Sequence, residues 1–164
     1  MKQIVVSINT PKGDEYRIRL SSLDGKYFSK EVYREILKNV DVITIELERI
    51  KGSLPTGHIV LAQIEEIIAD TFLQHPNTVI CFICDFLSPI PYTKKKIPAQ
   101  QYRSMLFMKM FERYISQHSI SGLMQSVLTI GGIEEDYYIH VIARSEHIKY
   151  VSVINEDIRA GYSK

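Results

Sequence analysis

Apolar and polar side chains alternate in several short segments of this chain, and this spacing is typical of half-buried strands. The alternation predicts strands at Ile4 to Ile8 and at Tyr16 to Leu20, joined by a turn that contains Pro11 and Gly13. A third alternating strand is predicted at Ile43 to Leu47. In the second strand, Arg17 and Arg19 alternate with apolar residues, so we expect one face of that strand to lie in water.

Apolar residues recur at helical spacing in four further segments, and each segment begins or ends with a residue suited to a helix terminus. The helices are predicted after Ser29, over His58 to Gln74, from about Pro98 to His118, and after Ser145. A strand over Lys149 to Ile154 is an alternative that the pattern leaves open for the last segment.

A short apolar run, Thr78 to Cys84, stops at Asp85 and predicts a buried central strand. Two more strands are predicted at Leu123 to Ile130 and at Tyr137 to Ala143. The order of elements predicts an α+β fold: a mixed, largely antiparallel sheet of about six strands, packed with three to four helices.

Length and composition indicate one domain over residues 1–164. The chain has 20 basic and 19 acidic residues, so its net charge of +1 argues against a general coat for nucleic acid or membrane surfaces. The apolar run at the N-terminus is too short for a signal peptide, and no segment approaches the roughly 20 apolar residues that span a bilayer. We therefore expect a soluble, cytoplasmic protein.

The two cysteines agree with that location. Cys81 and Cys84 lie three residues apart in the predicted central strand, so their Cα atoms would be about 10 Å apart, which is beyond disulfide reach. We expect both to be thiols of the core.

Asp85 is a candidate site residue because ligands gather at the carboxyl ends of strands in open sheets. A carboxylate there can accept hydrogen bonds, bind a cation or act as a base, which makes Asp85 a candidate catalytic group. The alternative is structural: Asp85 pairs with Arg103 in the following helix, or caps the loop.

A basic region lies between Tyr92 and Tyr114, with six basic residues against one acid. The basic residues are Lys94, Lys95, Lys96, Arg103, Lys109 and Arg113. Together with Tyr102, they form a candidate surface for an anion or a nucleic acid. A solubilising lysine loop is the alternative.

The loop before the predicted helix at His58 to Gln74 is a candidate phosphate site, because backbone amides at a helix N-terminus attract anions. Its candidate residues are Gly52, Ser53, Thr56 and Gly57. A plain connection with Thr56 as the helix cap is the alternative. The five histidines show no metal-ligand spacing, so no metal site is predicted.

One resemblance rests on the segment from Val79 to Asp85, followed by the spacing Arg103-x-x-x-Phe107-x-x-x-Phe111. This pattern resembles a family of small bacterial proteins of unknown function, in which a strand ending in Cys-Asp precedes such a helix. The resemblance covers about a third of the chain. It implies a bacterial origin and no particular activity.

A second resemblance is architectural. From Asp41 onward, the order strand, glycine-containing loop, helix, strand, helix, strand, strand is similar to the acyl-CoA N-acetyltransferase fold. In that fold, a loop of the type Arg/Gln-x-x-Gly-x-Gly/Ala binds the CoA pyrophosphate. This chain instead has Gly52 and Gly57 with Pro55 between them, so acetyl-CoA is implied only if this departure is tolerated.

Three function classes follow. No nucleophile, base and oxyanion donor can be assembled from the sequence, so the first expectation is a non-enzymatic binding module for a protein partner or its own copy, without a cofactor. The second is a CoA-dependent N-acyltransferase, with a tyrosine or Asp85 near the reacting centre. The third is an anion or nucleic-acid binder. Whether the protein is an enzyme stays open.

Overall fold

A computed structural model of the protein describes residues 3–23, 29–53, 57–84, 96–118, 122–131 and 136–162. These ranges form six strands and four α-helices. In chain order they are β1 (Ile4–Asn9), β2 (Glu15–Ser22), α1 (Lys30–Leu37), β3 (Asp41–Lys51), α2 (His58–Gln74), β4 (Thr78–Cys84), α3 (Ala99–His118), β5 (Leu123–Ile130), β6 (Tyr137–Arg144) and α4 (Ile148–Tyr162).

The strands form one mixed sheet in the order β1-β2-β3-β4-β6-β5. β3 and β4 are parallel, whereas the other neighbouring strands are antiparallel. A parallel pair needs a crossover, and α2 provides it between β3 and β4. The predicted α+β class, with its largely antiparallel sheet of six strands, is therefore confirmed.

Helices cover both faces of the sheet. On one face, α2 and α3 pack through residues such as Ile64, Phe72 and Phe107 against Ile45 and Phe82. On the other face, α1 and α4 pack against β4, β5 and β6. The alternating inward residues of each strand feed one of these two cores, as the pleat of a strand requires.

The last segment of the chain is helical, so the alternative strand over residues 149–154 is wrong. Val151, Ile154 and Ile158 follow one another at intervals of three and four residues, and all three are buried. This spacing places them on one side of a helix, where they pack into the core shared with Leu128. A strand would have turned Val151 and Ile154 to opposite faces.

The start of α1 is fixed by two side chains. Ser29 is its N-cap, as the sequence predicts, and Ser29 Oγ accepts a hydrogen bond from the backbone N–H of Val32 at 3.4 Å. Asp157 Oδ2 of α4 accepts a hydrogen bond from the N–H of Ser29 at 2.7 Å. α1 is thereby joined to α4 across the face that both helices cover.

Candidate functional site: an opening between β3 and β4

Among the described residues, the two parallel strands at the centre of the sheet stop pairing before they end. Their ladder stops at the pair Ile45–Phe82. Beyond this pair β3 continues beside β2, and β4 continues beside β6. Within the described residues, the carboxyl ends of the two strands thus lie side by side without pairing to each other. We call this unpaired region, which comprises residues 46–51 of β3 and 83–84 of β4, the β3/β4 opening.

Two helices begin at the edge of the sheet where the opening lies. β3 leads into α2 and β4 leads into α3, and because the strands are parallel both helices start at the carboxyl edge. The N-cap of α2 is Gly57, which has no side chain to accept from the first amides. His58 and Ile59, the next two residues, are exposed. The first turn of α2 is thus suited to an anionic group.

Four of the predicted site residues lie outside the described ranges: Thr56, Asp85, Lys94 and Lys95. The contact between Asp85 and Arg103 therefore stays a prediction, and so does the lysine loop.

The other predicted residues lie on both sides of the opening. Gly52, Ser53 and Gly57 are exposed and follow β3. Lys96 is exposed just before α3, and both Tyr102 and Arg103 are half-buried near the start of that helix. The fold thus brings the two groups to the same edge of the sheet, as expected for residues that follow neighbouring parallel strands.

A buried ion pair ties the amino-terminal hairpin to the end of β3. Asp14 Oδ1 lies 4.0 Å from Arg49 Nη1, and less than a tenth of either side chain is exposed. Arg49 Nη2 donates a hydrogen bond to Tyr16 Oη, and the guanidinium lies 5.0 Å from the centre of the Tyr16 ring. These contacts hold the last part of β3 in place after it has left β4.

The Asp14 carboxylate of this ion pair explains why residue 52 is a glycine. Its φ is +107°, a conformation that L side chains rarely adopt. A Cβ atom at this position would lie 1.8 Å from Asp14 Oδ1 and 2.6 Å from Asp14 Cγ. The chain therefore requires glycine here in order to pass the Asp14 carboxylate. An acidic neighbour is unfavourable for a bound phosphate, so Gly57 and the α2 amides are the better anion site.

A buried polar cluster that the sequence does not predict lies on the face covered by α2 and α3. His140 is fully buried in β6, and its Nε2 and Nδ1 atoms each lie 2.8 Å from a partner, Ser104 Oγ of α3 and Gln125 Nε2 of β5. The Phe107 ring meets the imidazole edge-on at 4.9 Å. Two signals were present: His140 occupies an inward position of a strand, and Ser104 lies one turn before Phe107.

The hydrogen bonds of this cluster fix its chemistry. An amide nitrogen only donates, so His140 Nδ1 accepts from Gln125, and the proton of the neutral ring is on Nε2. Nε2–H then donates to Ser104 Oγ. Burial lowers the pKa of His140 to about 4, so the ring is neutral at neutral pH. Since Nε2 cannot take a proton from Ser104, the cluster joins three elements rather than activating a nucleophile.

A second buried ionisable group lies between α2 and α3. Glu65 is 8% exposed, and its Oε1 atom has no hydrogen-bond partner among the described residues. Burial raises the pKa of Glu65 to about 7, against the opposing effect of the Arg113 charge on α3. Glu65 is therefore partly protonated at neutral pH.

The thiols belong to the core, as predicted. Cys81 and Cys84 are buried, and neither forms a disulfide within the described part of the chain. Burial raises the pKa of Cys81 to about 12, so its thiol is unreactive. The ranges that the structure describes hold no group of three His, Cys, Asp or Glu residues placed to bind a metal ion.

None of the described helices is both long and apolar enough to cross a membrane.

In comparisons with known proteins, no family model, no curated protein and no solved structure matches the chain. The two resemblances noted in the sequence therefore stay predictions.

Gly52→Ala tests the packing at the end of β3. We expect it to lower the free energy of unfolding by more than the roughly 1–2 kcal/mol that the left-handed backbone alone costs a residue with a Cβ. The reason is that Asp14 must move and disturb the Arg49 pair. Urea unfolding measures the loss. Gly13→Ala is the matched control, since its φ is +84° but no atom lies within 4 Å of the added Cβ. Equal losses in the two variants would contradict the account.

The buried ionisable groups predict two opposite dependences of stability on pH. Folding lowers the pKa of His140 from its ordinary 6.5 to about 4, so the unfolded chain takes up a proton first as the pH falls. This contribution is complete above pH 6.5 and is lost towards pH 4. Folding raises the pKa of Glu65 from 4.5 to about 7, so its contribution is complete below pH 4.5 and is lost towards pH 7. The contribution of each group to the free energy of unfolding changes by up to about 1.4 kcal/mol per pH unit.

Glu65→Gln separates the two effects. We expect its stability relative to the unsubstituted protein to increase steadily from pH 4.5 to pH 7, because the amide has no proton to lose. Glu66→Gln, which removes the same charge at the exposed neighbouring position, is the control. Parallel curves for Glu65→Gln and the unsubstituted protein, measured by urea unfolding across this range, would refute the burial argument.

Proposed function

We propose that the protein is a binding module and that its ligand is a thiol or thioester of coenzyme A, with the pantetheine arm in the β3/β4 opening. One observation carries the proposal: the β3–β4 ladder ends at Ile45–Phe82 while both strands continue. An extended chain with amide groups pairs readily with strand edges of this kind. The pantetheine arm is such a chain, since it carries two amides.

The phosphate end of the ligand would lie at the start of α2. The first amides of this helix follow the exposed Gly57, and His58 and Lys51 are exposed nearby in the chain. An anion at a helix N-terminus is stabilised by the helix dipole and by the unpaired amides. The proposal places the pyrophosphate there rather than beside Gly52, where Asp14 would repel it.

The proposal is limited to binding because of the buried Ser104–His140 pair. In this pair the histidine donates to the serine, which is the reverse of what an activated nucleophile needs. The proposed role is therefore that of a carrier or sensor of the ligand, acting with a protein partner or with its own copy. A cytoplasmic location is part of this proposal, and it is supported by two buried thiols that form no disulfide within the described residues.

A CoA-dependent N-acyltransferase is the second candidate. The observation in its favour is Tyr102, a half-buried phenol near the start of α3, at the edge of the sheet where the opening lies. A phenol at this place could transfer a proton to the departing thiolate. Asp85 would be the second candidate group. The third class, an anion or nucleic-acid binder, has less support. Arg113 interacts electrostatically with Glu65 of the same subunit. Of the three consecutive lysines, Lys96 alone lies within the described residues.

Thermal unfolding with added ligand tests the proposal. Acetyl-CoA at 100 times its dissociation constant should add about 2.7 kcal/mol of stability. For a domain of this size, that is a rise in Tm of roughly 5–10 °C. Free pantetheine and adenosine 3′,5′-bisphosphate, which are the two halves of the ligand, should each give a smaller rise. No rise with any of the three would overturn the proposal.

A pair of proline variants locates the phosphate end. Ile59→Pro removes one amide from the first turn of α2, where proline is tolerated, and should weaken acetyl-CoA binding while leaving pantetheine binding unchanged. Glu31→Pro removes the corresponding amide of α1 and is the control. Full binding by Ile59→Pro would place the phosphates elsewhere.

Release of free CoA thiol in the presence of amines would favour the acyltransferase over the binding module.

A further inference from the structure

Among the described residues, β1 lies at one edge of the sheet, and the strand itself lacks the features that normally protect an edge strand. Its six residues, Ile4–Asn9, include no charged residue and no proline. Its ladder with β2 runs without interruption from Ile4–Leu20 to Asn9–Glu15, so no bulge bends the edge away. The outer side of β1 is thus a regular row of backbone donors and acceptors.

Aliphatic side chains are exposed along the same strand. Ile4 is 44% exposed and Val5 is 52% exposed, whereas Ile8 is 2% exposed and Val6 packs against the core. Ile4, Val6 and Ile8 point to the face covered by α2 and α3, and Val5 points to the other face. The apolar core therefore continues to the edge of the sheet and ends there in contact with water.

The residues of β1 complement a second copy of the same strand. In an antiparallel pair with a two-fold axis at Val6, Ile4 lies opposite Ile8 of the second copy, and Val6 lies opposite itself. On the other face, Val5 lies opposite Ser7 of the second copy. Ile4 would then be covered by aliphatic neighbours, and no pair of the six residues places like charges opposite each other.

The charges near this edge are already neutralised within the subunit. Two arginines of β2, Arg17 and Arg19, lie on the face of the sheet opposite α2 and α3. They form ion pairs with Glu46 and Glu48 of β3, and Arg19 Nη2 lies 2.8 Å from Glu48 Oε2. An approaching copy therefore meets a strand without charge, backed by paired charges. Repulsion between two identical edges is thereby kept small.

We infer that two copies of this chain associate through β1, in antiparallel pairing about Val6, and so join their sheets into one of twelve strands. β5, at the opposite edge, also exposes apolar side chains, at Met124 and Val127, so matched lysine variants on the two strands distinguish the two edges. Pairing of β1 with β5 of another copy would be head-to-tail and would produce open-ended fibres, whereas the β1–β1 contact closes with two subunits.

Sedimentation velocity across a range of protein concentrations tests this inference. The unsubstituted protein should approach twice the monomer mass of 18.9 kDa as its concentration rises. Ser7→Lys places a charge opposite Val5 of the second copy and diagonally across the two-fold axis from the same lysine of that copy, and should raise the dimer dissociation constant roughly tenfold or more. Ser7 is exposed, so the variant should fold normally, which circular dichroism checks.

Thr129→Lys is the matched control, because it adds the same charge at an exposed position of β5, on the opposite edge. It should dimerise like the unsubstituted protein. The inference is overturned if the unsubstituted protein stays monomeric at every concentration, if Ser7→Lys dimerises unchanged, or if Thr129→Lys abolishes association. Growth beyond the dimer would also overturn it, because that would indicate open-ended pairing.

Discussion

The short parallel ladder between β3 and β4 is the constraint on which the rest of the structure depends. It joins two antiparallel halves of the sheet, β1-β2-β3 and β4-β6-β5, through five residue pairs from Asp41–Thr78 to Ile45–Phe82. Each half keeps its own register up to the end of its strands. Within the described residues, the halves are therefore paired at the start of β3 and β4 and unpaired at their carboxyl ends. The crossover through α2 sets this arrangement, since parallel neighbours cannot be joined by a tight turn.

Buried polar groups stabilise each half of the sheet internally. On one side, the Asp14–Arg49 pair fixes the end of β3 to the amino-terminal hairpin. In the other half, His140 of β6 is hydrogen-bonded to α3 and to β5. His140 is also the residue that pairs with Phe82 in the ladder between β4 and β6. Such groups cost free energy to bury, and that cost is offset only when their partners are in place. They therefore favour one arrangement of the strands and helices within each half.

Much of the fold could be predicted from local patterns. The spacing of apolar residues identified the elements in their correct order, and the bounds of α2, His58–Gln74, were predicted to the residue. Ser29 was recognised as a cap because an N-cap is a local interaction. The final segment stayed ambiguous because a short apolar run suits a strand as well as a helix. Packing of Ile158 with Val151 and Ile154 decides it, and that is a property of the tertiary structure.

The site was harder to predict because its causes are distant in sequence. Gly52 was considered a phosphate ligand, but its need for glycine comes from Asp14, which belongs to another turn. The cluster around His140 requires α3, β5 and β6 to be assembled before its hydrogen bonds exist. The point where the two strands stop pairing leaves no trace in the pattern of either strand, since β3 continues to alternate beside β2 and β4 continues as an apolar run beside β6.

Amide hydrogen exchange of β3, followed by NMR, tests most directly whether the opening is the binding site. The alternate amides of residues 46–50 that face β4 should exchange faster than those of residues 42–45, which lie within the ladder with β4. Saturating acetyl-CoA should slow the exchange of the fast set and leave the amides bonded to β2 unchanged. Equal protection along the whole of β3 without ligand, or no change when acetyl-CoA is bound, would contradict the account.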